Sequence, residues 1–337
     1  LMDNLFLSAC CGTRNLFLLH FDNCIAKAMS GLCLLSVLFS FINIMPVKAQ
    51  EGNFIESDFF KTISTNDKPA ILMVSFGTTH DDTRAVTIDA VNALVRKTFP
   101  SIDVFQAYTS RIVIRRLKER GIEKLTPKEM LLQLHAKGYT HILVQSTNVI
   151  DGVEMESLRD DIETSRSLFK EIRLGTPLLY HPSDFDQCID ALTKHLPKST
   201  DAVIFVGHGT YTPATASYTM IDYMLRAKGL NNYFIGTIEG YPSFDDMLKL
   251  LRKSSARSVL LVPFMLVAGE HADNDIAKGW NEKLTTAGYT VKLYGKGMGE
   301  NPDIQQLFID HLKYIATHKE VSIMQKKQDY ANGKEKE

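Results

Sequence analysis

Between residues 68 and 319, short runs of β-branched and aliphatic residues alternate with longer amphipathic stretches. No other feature of the chain constrains the fold as strongly. Seven apolar runs read as strands, at 70–76, 102–106, 141–146, 202–206, 233–238, 258–263 and 290–294. They are nearly continuous in apolar residues, as strands covered on both faces are, and parallel strands need crossover segments of the kind the amphipathic stretches supply. Two of those stretches carry explicit helix starts. Thr126-Pro127-Lys128-Glu129 has the capping-box pattern with Pro at the first helical position, and Ser243 precedes Phe244, Met247, Leu248 and Leu251 at helical spacing. The fold class expected is α/β.

The alternation also repeats itself. Ile71-Leu72-Met73-Val74-Ser75-Phe76-Gly77-Thr78 is similar to Val203-Ile204-Phe205-Val206-Gly207-His208-Gly209-Thr210, 132 residues later. The stretch from Ile142 to Glu154 is similar to that from Val259 to His271, with Gly152 and Gly269 corresponding at an offset of 117. Two similar doubly wound parallel-sheet domains are therefore expected, 68–198 and 199–319, joined near Lys198-Ser199 and facing a central cleft. Ligands of open α/β sheets sit beyond the carboxyl ends of the strands, so that cleft is the expected binding site. Residues 50–67 read as a polar, irregular linker and 320–337 as a charged tail.

The N-terminal 49 residues read as a signal peptide. An apolar run at 31–45 is shorter than the roughly 20 residues a membrane span needs, and Val47-Lys48-Ala49 is a small-residue cleavage pattern with the cut after Ala49. Export to the periplasm or cell envelope is the expectation. Leu7-Ser8-Ala9-Cys10 is similar to a lipoprotein box, but almost no apolar run precedes it, which makes a lipid anchor the lesser expectation. Of five cysteines, Cys10, Cys11, Cys24 and Cys33 precede residue 50; cleavage would leave Cys188 alone, without an internal disulfide. Charge excludes one class of partner. With 38 Lys and Arg against 39 Asp and Glu, the chain carries no electrostatic footprint for nucleic acid. It also lacks the GxxxxGK[ST] and GxGxxG phosphate loops, so no nucleotide is expected.

What differs between the repeats locates the chemistry. His208 stands where the first repeat has Phe76, and His271 where it has Glu154. Glu239, in Thr237-Ile238-Glu239-Gly240-Tyr241-Pro242, follows the strand between them. Each has a bland reading taken singly: a satisfied loop histidine, a charge favoured by a helix N-terminus, a first-turn polar residue. Taken together, two imidazoles and a carboxylate at one sheet edge make a divalent-metal site with open positions. On the opposite wall, Ser75, Phe76, Gly77, Thr78 and Glu154 are the candidate substrate-binding residues, the turn from Gly77 to Thr83 offering backbone N–H groups to an anion. Arg111, Arg115 and Arg116 either pair with substrate carboxylates or are simply solvated.

The chain resembles the anaerobic sirohydrochlorin cobaltochelatases of the CbiK type, among the class II tetrapyrrole chelatases, from about residue 68 to 318. The resemblance is carried by Val74-Ser75-Phe76-Gly77-Thr78, Ala107-Tyr108-Thr109-Ser110, Ile114-Arg115-Arg116-Leu117, Val144-Gln145-Ser146, Gly207-His208-Gly209, Glu239-Gly240-Tyr241-Pro242 and the long segment from Pro263 through His271 to Asp275, with Gly299-Glu300-Asn301-Pro302. It implies two α/β domains around a tetrapyrrole cleft, with His208, Glu239 and His271 as metal ligands and the two histidines as catalytic groups. It also implies insertion of a divalent metal, Co2+ or else Fe2+ or Ni2+, into sirohydrochlorin, as in cobalamin biosynthesis. Asn148 departs from the pattern, since family members often carry His after the Gln-Ser strand end. The leader departs too, and keeps a second reading open: an exported haem- or porphyrin-binding protein for haem-iron acquisition or transport. That reading would involve envelope transport partners; a homo-oligomer is open under either.

Overall fold

The computed structural model describes residues 52–197, 200–269 and 272–333. The expected signal peptide with its cut after Ala49, the Lys198-Ser199 junction and His271 lie outside the described residues. Ten strands are described: a short antiparallel pair, β1 (Phe54–Glu56) with β10 (His318–Glu320), and two four-stranded parallel sheets. In the first sheet β2 (Pro69–Ser75), β3 (Asp103–Tyr108), β4 (His141–Ser146) and β5 (Glu171–Leu174) stand in the order β3-β2-β4-β5. In the second, β6 (Ala202–Gly209), β7 (Tyr233–Glu239), β8 (Ser258–Phe264) and β9 (Thr290–Leu293) stand as β7-β6-β8-β9. Counted from its own first strand, each sheet has the same order, so the repeat in sequence is a repeat of topology.

Burial on both faces explains the continuous apolar runs. Successive residues of β2 enter different cores: Ile71 and Met73 join the one between the sheets, Ala70, Leu72 and Val74 an outer one. The central strand β6 does the same, with Val203 and Phe205 inward and Ala202, Ile204 and Val206 outward. The inner core is continuous across both sheets. After the short helix α1 (Asp81–Val86), it is filled by α2 (Ile88–Thr98), α6 (Pro182–His195), α7 (Ala216–Ala227) and α10 (Pro302–Thr317), which contribute Val91, Phe185, Ile221 and Phe308 among others. The outer core of the first sheet takes Leu131 from α4 (Pro127–Ala136) and Leu158 from α5 (Val153–Ser165). That of the second takes Leu251 from α8 (Phe244–Leu251) and Leu284 from α9 (Asn281–Thr286). The predicted caps are present: Thr126 and Glu129 exchange hydrogen bonds, and Ser243 Oγ accepts from the Asp246 N–H.

Three features differ from the expected domain plan. First, α10 follows the second sheet in the chain but packs against β4 of the first and against α2 and α6. Its buried residues include Ile304, Leu307, Phe308, Ile309, Leu312 and Ile315, an apolar surface too broad for one neighbour to cover, so packing does not follow a chain boundary near residue 198. Second, residues 54–62 are not linker. Phe54 and Phe59 are buried in the inner core, and the Arg173 guanidinium, 4% exposed, donates to the carbonyls of Ser57, Ile315 and His318 and to the Ser57 hydroxyl. A buried charge is tolerated only where its donors are satisfied, and these bonds fasten the chain after β1 and the end of α10 to β5. Third, 323–331 of the charged tail is helical, α11 (Ile323–Ala331), capped by the Ser322 hydroxyl. The strand β5 itself escaped the apolar pattern because it has only four residues, Glu-Ile-Arg-Leu, with that arginine in its middle.

Candidate active site

The carboxyl ends of both sheets open onto one cavity of about 610 Å3. Its first wall begins where β2 ends. The hydrogen bonds of β2 with the chain after β3 continue past the strand, Thr109 N–H to Ser75 O and Ser110 N–H to Phe76 O, which fixes the Phe76 backbone while its ring stays 45% exposed in the cavity lining. Gly77 follows with φ +97°, and a Cβ there would lie 2.5 Å from the buried Tyr108 ring, so no larger residue fits this turn. Burial pushes the Tyr108 phenol up to about 12. The Thr78 hydroxyl accepts the His80 N–H at 3.2 Å, occupying one of the backbone donors predicted for an anion. From the same lobe come Asn148, Gly152 and Glu154, the last in the first turn of α5, and Arg116 of α3 (Arg111–Glu119). Arg111 and Arg115 are not in the lining.

The opposite wall is built by the last residues of β6 and β7. His208 and Glu239 both line the cavity. Gly209 pairs with Glu239 in the parallel ladder, so His208 and Glu239 are one register position apart on adjacent strands. Strict alternation would send them to opposite faces. Both nevertheless line the cavity, which lies beyond the sheet edge at the strand ends. The His208 ring is half-buried, with Nδ1 3.3 Å from the Gly209 carbonyl. Beneath it the Tyr218 hydroxyl accepts the Gly209 N–H at 3.1 Å; burial pushes this phenol up to about 12, so it remains the neutral form. The loop after Glu239 is tied down as well: the Pro242 carbonyl accepts from both the Thr237 N–H and hydroxyl, and the Thr215 hydroxyl donates to the Tyr241 carbonyl.

Of the predicted residues, the structure therefore brings Phe76, Gly77, Thr78, Glu154, His208 and Glu239 to one cavity. Among the described residues no three His, Cys, Asp or Glu side chains converge on a common point, and His271 is not among those residues. The chain on either side of it does line the cavity, through Gly269 before and Asn274 and Asp275 after. Ser75 is a correction. It is 1% exposed and outside the lining, its Oγ accepting from the Thr147 hydroxyl at 2.9 Å. Alternation turns it inward while Phe76 turns out, so it braces β2 rather than touching a ligand. Ser75→Ala is expected to cost about 1 kcal/mol of stability, read as a small fall in melting temperature, and to leave turnover within about twofold; a collapse of turnover at unchanged stability would restore the substrate-contact role.

Among the lining residues that were not sequence candidates are His80 and Tyr211. His80 lies inside a turn whose backbone N–H groups drew the attention, and Tyr211 follows the His208 motif with no pattern of its own. The lobes approach each other at two places in the lining. A Cβ on Gly269 would be 3.5 Å from the Thr78 hydroxyl and 3.9 Å from the His80 ring, and one on Gly152 would be 4.0 Å from the Thr210 hydroxyl. Apolar groups, Phe76, Ile112, Val153, Leu266 and Val267, dominate the surface between. Such a site suits a flat guest with apolar faces and polar groups at its edge.

Comparison with known proteins agrees with this geometry. The family model for cobalt chelatase (CbiK) matches residues 69–317. The chain is 37% identical over 252 residues to a sirohydrochlorin cobaltochelatase of Salmonella typhimurium, covering 73% of this chain and 95% of that protein. It is 32% identical over 254 residues to the sirohydrochlorin cobaltochelatase CbiKC of Nitratidesulfovibrio vulgaris, covering 73% and 89%. Among solved structures, SirB from Bacillus subtilis with Fe3+ shares the fold with a TM-score of 0.53 at 15% identity, covering 74% of this chain and 96% of that one. Two parallel sheets of matching order, a slot at their common carboxyl edge and a family match over nearly all of both sheets lead to one conclusion: the chain belongs to the cobalt chelatase (CbiK) family.

Proposed function

We propose that this protein is a tetrapyrrole metal chelatase that inserts Co2+ into sirohydrochlorin, with His208, Glu239 and His271 handling the metal. The observation that carries this reading is the delivery of His208 and Glu239, from adjacent strands, to one apolar slot whose far wall presents Phe76. The relatives at 37% and 32% identity are cobaltochelatases by name, which supports insertion over haem carriage.

Insertion exchanges two pyrrole N–H protons for one divalent cation: the ring loses two protons, the metal gains four nitrogen donors, and two protons must be accepted. An imidazole serves both sides of that exchange. Its neutral form is a borderline donor suited to cobalt, iron or nickel, and its unperturbed pKa of about 6.5 lets it take up a proton near neutral pH. In this reading His208 and His271 hold the cation and accept protons, while the Glu239 carboxylate offsets the cation's charge as it leaves water. The ring lies in the slot against Phe76, and Arg116 meets its carboxylate edge, with Glu154 also in the lining. The metal must be released, so a small donor set with open positions is suitable where a closed four-ligand cage would not be.

The test is an insertion assay with purified protein, metal-free sirohydrochlorin, and Co2+, Fe2+ or Ni2+ in separate reactions, followed by the absorption change of the ring. Enzyme-dependent turnover with Co2+ is expected. Ring binding without acceleration by any of the three metals would overturn the chelatase reading.

A further inference from the structure

Tyr211 is the most exposed large hydrophobic residue described in this chain, 84% accessible, yet it lines a concave cavity. It follows His208 by three positions, on the lobe opposite Phe76, the other exposed aromatic side chain of the lining. The backbone that carries it is held on three sides. The Thr212 N–H donates to Thr210 Oγ1 at 3.2 Å, the two threonine hydroxyls are themselves 3.2 Å apart, and the Thr215 N–H donates to the Thr212 carbonyl. A Cβ on Gly240 would be 2.3 Å from the Thr210 carbonyl, so the turn rests directly on the chain after Glu239. On its other side Thr210 faces Gly152 of the first lobe, whose next residue, Val153, is also exposed and in the lining.

A large apolar ring held in water on a fixed turn is unfavourable in the isolated protein, and it becomes favourable when a flat guest covers it. We propose that Tyr211 is a ring-stacking and specificity residue of the second lobe, closing on the macrocycle from the side opposite Phe76. Because the turn is already tied down, little backbone freedom is lost when the guest arrives. The phenol oxygen adds a donor at the rim, where a ring bearing carboxylate side chains presents acceptors and a purely alkyl-edged porphyrin does not.

This rests on the chelatase reading, and the test separates the two. Binding of metal-free sirohydrochlorin is followed by quenching of ring fluorescence, and insertion kinetics are measured with Co2+. In Tyr211→Ala the ring is expected to bind about tenfold more weakly, in line with the loss of one aromatic stacking contact. KM for the ring should rise in proportion while kcat and melting temperature stay near wild type. Tyr211→Phe should recover most of the affinity, with the remaining deficit confined to rings that carry carboxylates. Wild-type affinity in Tyr211→Ala, or a fall in kcat at unchanged KM, overturns the proposal while leaving the chelatase reading standing. A wild-type protein that neither binds the ring nor inserts metal overturns both.

Discussion

Replacing His208 by alanine is expected to reduce cobalt insertion by at least about 100-fold, because the proposed mechanism uses this residue both as metal donor and as proton acceptor. The fold should survive. The ring is half-buried at the very end of β6 and belongs to none of the apolar clusters, whereas the inward residues of the same strand, Val203 and Phe205, hold the core. The melting temperature is therefore expected to move by only a few degrees, as for a loss of about 1 kcal/mol or less. His271→Ala should show a comparable loss, and the double substitution should be little worse than either alone, since groups acting as one unit are not additive. The measurements are initial insertion rates with Co2+ and sirohydrochlorin alongside thermal melts. Insertion within about threefold of wild type in a folded His208→Ala protein would remove the imidazole from the mechanism.

The second large effect is expected from a residue with no side chain. Gly209 adopts φ +88°, and a Cβ there would lie 1.6 Å from the Glu239 carbonyl oxygen and 2.8 Å from Thr237 Cβ. These neighbours are backbone and strand interior, which cannot swing aside as a long side chain would. Gly209→Ala thus combines left-handed backbone strain of about 1–2 kcal/mol with a forced separation of β6 from β7, for a total of about 3 kcal/mol or more. Pushing β7 away also carries Glu239 from His208, so insertion should fall along with stability. Gly121→Ala is the control. Gly121 has φ +75° with nothing within 4 Å of the place a methyl group would take, so only the strain applies, about 1–2 kcal/mol. Thermal melts of the two variants side by side separate the contributions; equal destabilisation would mean that the ends of β6 and β7 are not pressed together as described.

Much of the site was legible because strand ends are legible. Once Ile204-Phe205-Val206 is read as a buried strand of an open α/β sheet, His208 must emerge at its carboxyl end, and the same logic applies to Glu239 after Phe234-Ile235. The comparison between repeats added contrast in sequence: His208 stands where the first repeat has Phe76, and His271 where it has Glu154. Ser75 misled because it sits in the same motif as Phe76. Which of two adjacent residues faces a cavity depends on where the strand ends, and apolar composition alone does not fix a strand end to one residue. Tyr211 and His80 had no periodicity or spacing to mark them; both acquire meaning only from the other lobe.

The sequence by itself determined the α/β class, the two matching halves and the sheet edge at which chemistry would gather. All of these follow from local pattern: continuous apolar runs, helix caps, and a repeated order of both. Tertiary structure decided the rest. It drew α10 across to the first sheet, folded Phe54 and Phe59 into the core through Arg173, and set His208 and Glu239 on one cavity although alternation along the strands would part them. The physical reason is the same in each case. Burial is a property of pairs of surfaces distant in the chain, and a stretch of sequence states how apolar a surface is without stating what will cover it.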